Sequence, residues 1–182
     1  MSAQRTVLVV PGSGGCWHLP HQLFAVDAAR LRGAQAHYVS WRGEVPPEPE
    51  ARGPWAVEQI AAVLRGLPQP LIIANSLGTL AADLAAEHGL PAIWITPLLH
   101  RPEVVEGLRR AGAPCLLIGG TADSSWHPGL ARELSPYVFE VEGADHGLRV
   151  PGPLARSAVV LGEMATAVED FLDRILWPTM HR

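Results

Sequence analysis

Lysine is absent from this 182-residue chain; all 14 of its basic residues are arginine. A phosphate loop of the Walker A type, whose lysine reaches the terminal phosphates, is therefore excluded. With 18 acidic residues the formal net charge is −4, which leaves no basic footprint for nucleic acid or an anionic membrane surface. The two cysteines, Cys16 and Cys115, are too few for a disulfide framework, and Cys115, inside the apolar run CLLIGG, reads as a buried thiol. No window of about 18 apolar residues exists, so no membrane-spanning helix is expected. The opening MSAQRTVLVVPG has an apolar run too short for a signal-peptide core and broken by Pro-Gly, so the expected location is cytoplasmic.

What remains is an ordinary globular composition, 48% hydrophobic and 18% charged, and the length suits one domain over residues 1–182. Six short runs read as strands: Thr6–Val10, Ala36–Val39, Leu71–Ala74, Ala92–Ile95, Cys115–Ile118 and Tyr137–Val141. Most are continuously apolar, as strands covered on both faces are. Helical patterns lie between and after them, over Leu19–Leu31, Pro54–Leu67, Leu77–His88, Pro102–Ala111, Pro128–Leu134 and Ala155–Ile175. Alternation of this kind predicts an α/β fold with a mostly parallel sheet and helices on both faces. The proline-rich stretch Ser40–Pro54 reads as a long surface loop, and the terminal WPTMHR as a frayed tail.

Ligands of such sheets bind beyond the carboxyl ends of the strands. The segment after the third strand is Asn75-Ser76-Leu77-Gly78, with small Ala74 and Gly78 two positions either side of the serine. That pattern suits a sharp strand-to-helix elbow presenting a nucleophile, although Ala74 stands where glycine is usual. A serine hydroxyl also needs a base, and the base an orienting acid. Asp123 follows the fifth strand and His146 the sixth, giving the order serine, acid, histidine at one sheet edge. Two backbone amides complete the arrangement: Leu77, at the start of the helix, and Ser13 in the loop Pro11-Gly12-Ser13-Gly14-Gly15, as donors to a developing oxyanion.

The motifs VLVVPGSGGCW, IIANSLGTLAA, LLIGGTADSSWHP and VEGADHGL together resemble the α/β-hydrolase superfamily, in particular its compact dienelactone-hydrolase-like and small serine-esterase-like members. The resemblance spans essentially the whole chain. It implies a three-layer α/β-hydrolase fold with about six strands, Ser76 as nucleophile, Asp123 as acid and His146 as base. The sequence departs from the family in two places. PGSGG replaces the commoner His-Gly opening of the oxyanion loop, and Thr96–Pro114 is too short for a cap domain. The second departure implies an open site without a lid.

The expected activity is therefore hydrolysis of an ester, thioester or lactone of a small molecule through an acyl-enzyme, with no cofactor and no metal. Acyl transfer, lyase or cyclase chemistry, or a binding scaffold would use the same fold. A dinucleotide site is a poor reading of Gly12-Ser13-Gly14-Gly15, because Trp17 occupies the last glycine position and Ser40-Trp41-Arg42 offers no acidic ribose ligand. Gly14, Trp17, Leu98, Trp126 and Leu148 are expected to line the substrate pocket, with Leu99, His100, His127 and Arg149 nearby on loops of the same edge. Asp145, adjacent to His146, points the opposite way on an extended segment and is expected to brace its loop. His18 and His21 have no third cluster with which to hold a metal. Ser76 also has a plainer reading as a helix N-cap. His37, His88 and His181 read as surface or structural residues.

Overall fold

The computed structural model describes residues 4–178. The expectations for His181 and for the last four residues of the tail fall outside that range. Six strands, β1 (Thr6–Val10), β2 (Gln35–Tyr38), β3 (Leu71–Asn75), β4 (Ala92–Ile95), β5 (Cys115–Gly120) and β6 (Tyr137–Val141), form one sheet in the order β2-β1-β3-β4-β5-β6. Every neighbouring pair is parallel.

Six helices cover the sheet: α1 (Pro20–Leu31), α2 (Pro49–Leu64), α3 (Ala82–His88), α4 (Pro102–Arg110), α5 (Pro128–Leu134) and α6 (Leu154–Phe171). Successive strand residues point to opposite faces, and β1, β3, β4 and β5 are buried on both, which is why they are almost wholly apolar, whereas the edge strands β2 and β6 are only partly covered and carry Gln35, His37 and Glu140. Val7, Val9, Ile73 and Ile93 pack with Ala25 and Ala29 of α1 and with Met164 and Val168 of α6. Leu8, Val10, Ile72 and Trp94 pack instead with Ile60 of α2, Leu84 of α3, Leu108 of α4 and Ala131 of α5. The result is three layers, with two helices on one face and four on the other.

Local chemistry shifts some boundaries. Helix α2 begins at Pro49, five residues before the predicted start, so the loop from Ser40 is shorter than expected. Pro49 suits a first helical position, and Arg52 ties the approach by donating to the carbonyls of Pro46 and Pro47. Pro54 consequently sits inside the helix, where it withholds one hydrogen bond. The predicted helix from Leu77 begins as a tight 3₁₀ turn over Ser76–Ala81 before α3 proper. Thr79 Oγ1 donates to the Ser76 carbonyl at 2.6 Å, satisfying it where the turn is too tight for an α-helical bond. Helix α6 widens into a π turn over Leu172–Leu176, and Trp177, expected to fray, packs against the α1/α6 core with Arg5 over its ring. Between β4 and β5 there is α4 and no cap. No helix among the described residues is long and apolar enough to cross a membrane.

Candidate active site

Strand β3 delivers Ser76 in a strained conformation. Its φ is +49°, in the left-handed region that non-glycine residues seldom adopt. The strain is held by packing. A Cβ on Gly78 would lie 2.8 Å from the Val10 carbonyl oxygen and 2.9 Å from that of Pro11, so only glycine allows the turn this close to β1. Ala74 is fully buried on the other side of the serine. The loop after β1 is fixed opposite: Gly15 N–H and Trp41 Nε1–H both donate to the Gly12 carbonyl, at 3.0 and 2.8 Å. Trp41, which the sequence alone did not single out for this role, thus reaches across from the loop after β2 to set the shape of the glycine-rich loop.

Ser76 Oγ lies 2.8 Å from His146 Nε2, and His146 Nδ1 lies 2.7 Å from Asp123 Oδ2. An ionised carboxylate only accepts, so Nδ1 carries the proton and Nε2 presents its lone pair to the serine hydroxyl. The hydroxyl is therefore spent on the imidazole and does not cap the turn. The other Asp123 oxygen accepts from the Ser125 amide at 2.8 Å. Burial alone would raise the Asp123 pKa, but the hydrogen bonds from His146 and Ser125 outweigh it and hold the carboxyl below its usual range. His146 is shifted the opposite way. The bond to Asp123 raises its pKa above 6.5 against the opposing pull of burial.

Two glycines let the acid and base loops meet. A Cβ on Gly119 would collide with the Trp126 ring, and one on Gly120 with Ala144 just before His146. Asp145 braces the histidine loop as expected: its Oδ1 accepts from the Gly147 and Arg149 amides at 2.8 and 2.9 Å.

Ser76 and His146 open onto a cavity of about 720 Å³ between the starts of α1 and α6. That volume suits a small organic ligand. Of the residues expected to line it, Gly14 and Leu148 do; so do Ser13, expected as an oxyanion donor, and Arg149, expected only nearby on a loop. The Ser13 amide donates to nothing among the described residues and is free for a ligand. Leu77 follows Ser76 at the beginning of the 3₁₀ turn, with its side chain buried away from the cavity.

Three expected pocket residues lie elsewhere. Trp17 stacks on Tyr38 and His18, with ring centroids 4.5 and 3.8 Å apart, and covers β2. Leu98 packs into the core beneath α2–α5, as does buried Leu99. Trp126 is buried against Gly119, with its Nε1–H donating to Glu140 at 2.7 Å. His100 and His127 are exposed and do not line the cavity either. In their place the cavity takes apolar groups from the helix starts, Leu19, Pro20, Leu154, Ala158 and Leu161, which their loop-distant positions concealed.

His21 is the main residue that sequence reasoning missed. It is 4% exposed, in the first turn of α1, and its Nε2 lies 3.2 Å from Asn75 Oδ1. Thr96 Oγ1 donates to the same oxygen at 3.1 Å, from a backbone strained at φ +43°. Asn75 thereby ties α1 and the end of β4 to the residue before the nucleophile. The one available signal was Pro20, which starts a helix at the active edge and places the next residue beside the site.

No protein-family model and no curated protein sequence matches the chain. Solved structures do. Est1E from Butyrivibrio proteoclasticus superimposes with a TM-score of 0.71 at 12% identity, covering 94% of this chain and 88% of that one. An α/β serine hydrolase homologue from Coxiella burnetii gives 0.69 at 17% identity, covering 93% and 85%. XC6422 from Xanthomonas campestris, described as an α/β serine hydrolase without a lid, gives 0.64 at 18% identity, covering 98% and 86%. This chain accordingly has the α/β-hydrolase fold in a form without a cap.

Proposed function

We propose that the protein is a serine hydrolase acting on an ester, thioester or lactone of a small molecule. One observation carries the reading: a strained serine, an imidazole and a buried carboxylate in hydrogen-bonded line, at 2.8 and 2.7 Å, opening onto a cavity. The likeness to esterases and serine hydrolases is a likeness of fold, and it supports the reading without carrying it.

In this mechanism Ser76 Oγ attacks the substrate carbonyl while its proton passes to His146 Nε2. Asp123 holds the imidazole with its proton on Nδ1 and stabilises the imidazolium. The carbonyl electrons move onto oxygen, which accepts from the amides of Ser13 and Leu77; such donors contribute about 10²–10³-fold in rate each. Collapse of the adduct breaks the bond to the alcohol or thiol, which leaves with the proton from His146. Water then repeats the sequence on the acyl-enzyme, giving the acid and free Ser76. The apolar part of the substrate lies between α1 and α6, against Leu19, Leu148, Leu154 and Leu161.

The test is steady-state hydrolysis of a panel of short acyl p-nitrophenyl esters, thioesters and lactones by the native protein and by Ser76→Ala. The reading expects turnover of at least one class, reduced by at least about 10⁴-fold in the variant. Turnover that survives Ser76→Ala would overturn it.

A further inference from the structure

The peptide unit that joins Ser76 to Leu77 has work on both of its sides. Its N–H is an oxyanion donor in the mechanism above, and its C=O accepts from Thr79 Oγ1 at 2.6 Å. The unit is planar and trans, so the C=O and N–H point in opposite directions. Whatever fixes the oxygen therefore aims the N–H.

Thr79 can fix it because its hydroxyl has no freedom left. The residue is fully buried, so bulk water does not compete. The Leu98 amide, on the loop after β4, donates to Oγ1 at 3.2 Å. A hydroxyl has a single proton, and with a donor already on its oxygen Thr79 spends that proton on the Ser76 carbonyl. The carbonyl is thereby held toward Thr79, inside the turn, and the Leu77 N–H faces the other way. Asn75, at the head of the turn, makes no side-chain cap that would claim this N–H. Its side chain is engaged with His21 and with Thr96, which belongs to the same loop as Leu98. That loop supplies no wall to the cavity. Instead it grips the nucleophile on both sides, Asn75 before it through Thr96 and the Ser76 carbonyl after it through Thr79.

Resting on the hydrolase reading above, we infer that Thr79 is a positioning residue whose hydroxyl, oriented by the Leu98 amide, aims the Leu77 N–H at the developing oxyanion. Thr79 itself touches neither substrate nor reacting atoms. Its bond to the carbonyl also polarises the peptide, which makes the N–H a stronger donor. Leu98 thus serves the reaction through its backbone, while its side chain packs into the core.

The experiment measures kcat and KM on a short-chain p-nitrophenyl ester, and the inhibition constant of a trifluoromethyl ketone, whose adduct with Ser76 carries the oxyanion. The native protein, Thr79→Val, Thr79→Ser and Thr79→Cys are compared. Thr79→Val keeps the branched shape and removes the hydroxyl. Its kcat should fall about 10–100-fold, part of what an oxyanion donor is worth, with KM within about twofold of native. The inhibition constant should rise by the factor by which kcat/KM falls. The acid limb of the pH profile should stay in place, because His146 and Asp123 are untouched. Thr79→Ser keeps the donor and should restore most of the rate. Thr79→Cys is close to serine in size but a weak donor, and should fall with valine, so the serine–cysteine comparison stands even if Thr79→Val does not fold. A native kcat in folded Thr79→Val or Thr79→Cys would overturn the inference, as would a loss of rate without weaker inhibition. Thr79→Ser impaired as far as Thr79→Val would leave only packing by the methyl group. Fluorophosphonate labelling of Ser76 in the native protein separates the two levels. Labelling and turnover with the Thr79 variants unchanged remove this inference alone, whereas a native protein that shows neither removes the hydrolase reading and this inference with it.

Discussion

The carboxyl edge of the sheet is finished differently on its two faces. On the side of α2–α5, Leu98, Leu99 and Trp126 fold down onto the core, and Gly119 gives the tryptophan ring room to lie against β5. On the side of α1 and α6, the helices start with Leu19, Pro20 and Leu154, and a cavity remains between them. Both sets of residues are apolar, and both stand near strand ends. One set is sealed and bears on stability; the other is open, and Leu154 is 77% exposed. The hydrogen-bonded line of Ser76, His146 and Asp123 sits at the boundary, with Asp123 buried and His146 partly open to the cavity. An apolar residue at the active edge of such a sheet is therefore a pocket residue only if its loop turns toward the face left open.

The largest expected effect falls on the boundary itself. Asp123→Asn keeps the shape but removes the charge that holds the imidazole, and kcat should fall by about 10⁴-fold with folding retained, as circular dichroism and ester hydrolysis would report. Next comes the sealed face. Trp126→Ala should cost about 3–5 kcal/mol in urea unfolding. If the sealed face carries stability alone, the relative kcat/KM values across an acyl-chain series should not change; a selective loss on long chains would place Trp126 in the pocket after all.

The pH profile probes the boundary more gently. His146 must be neutral to act as a base, and its pKa is raised by Asp123. Activity should therefore be lost as pH falls through a midpoint above 6.5, and kcat/KM against pH should show that limb. A midpoint below 6.5 would mean that burial of the ring outweighs its bond to Asp123. The smallest effect belongs to the open face. Leu154→Ala should leave stability within about 0.5 kcal/mol while raising KM for longer acyl chains a few-fold, from lost apolar contact.

The sheet, the elbow and the order Ser76, Asp123, His146 were legible in the sequence because each depends on residues next to one another at a strand end. Gly78 is legible from the elbow pattern, although what excludes a side chain there is distant in sequence: the Val10 and Pro11 carbonyls at the end of β1. The pocket was far less so. Whether Trp17 or Leu154 faces a substrate depends on the helices on each face, and that information lies in long-range packing. Likewise, nothing near His21 in sequence points to Asn75, which lies 54 positions away and meets it only when α1 docks beside β3. The early start of α2 was hidden by a proline run that serves equally well as loop or first helical turn.

The central claim is that Ser76 is a nucleophile activated by His146. Its most direct test is reaction of the native protein, Ser76→Ala and His146→Ala with a fluorophosphonate, followed by peptide mass spectrometry. The account predicts one adduct, on Ser76, in the native protein, none in Ser76→Ala, and labelling of His146→Ala slowed to background. An unlabelled native protein that is folded, or Ser76 labelled equally fast without His146, would contradict it.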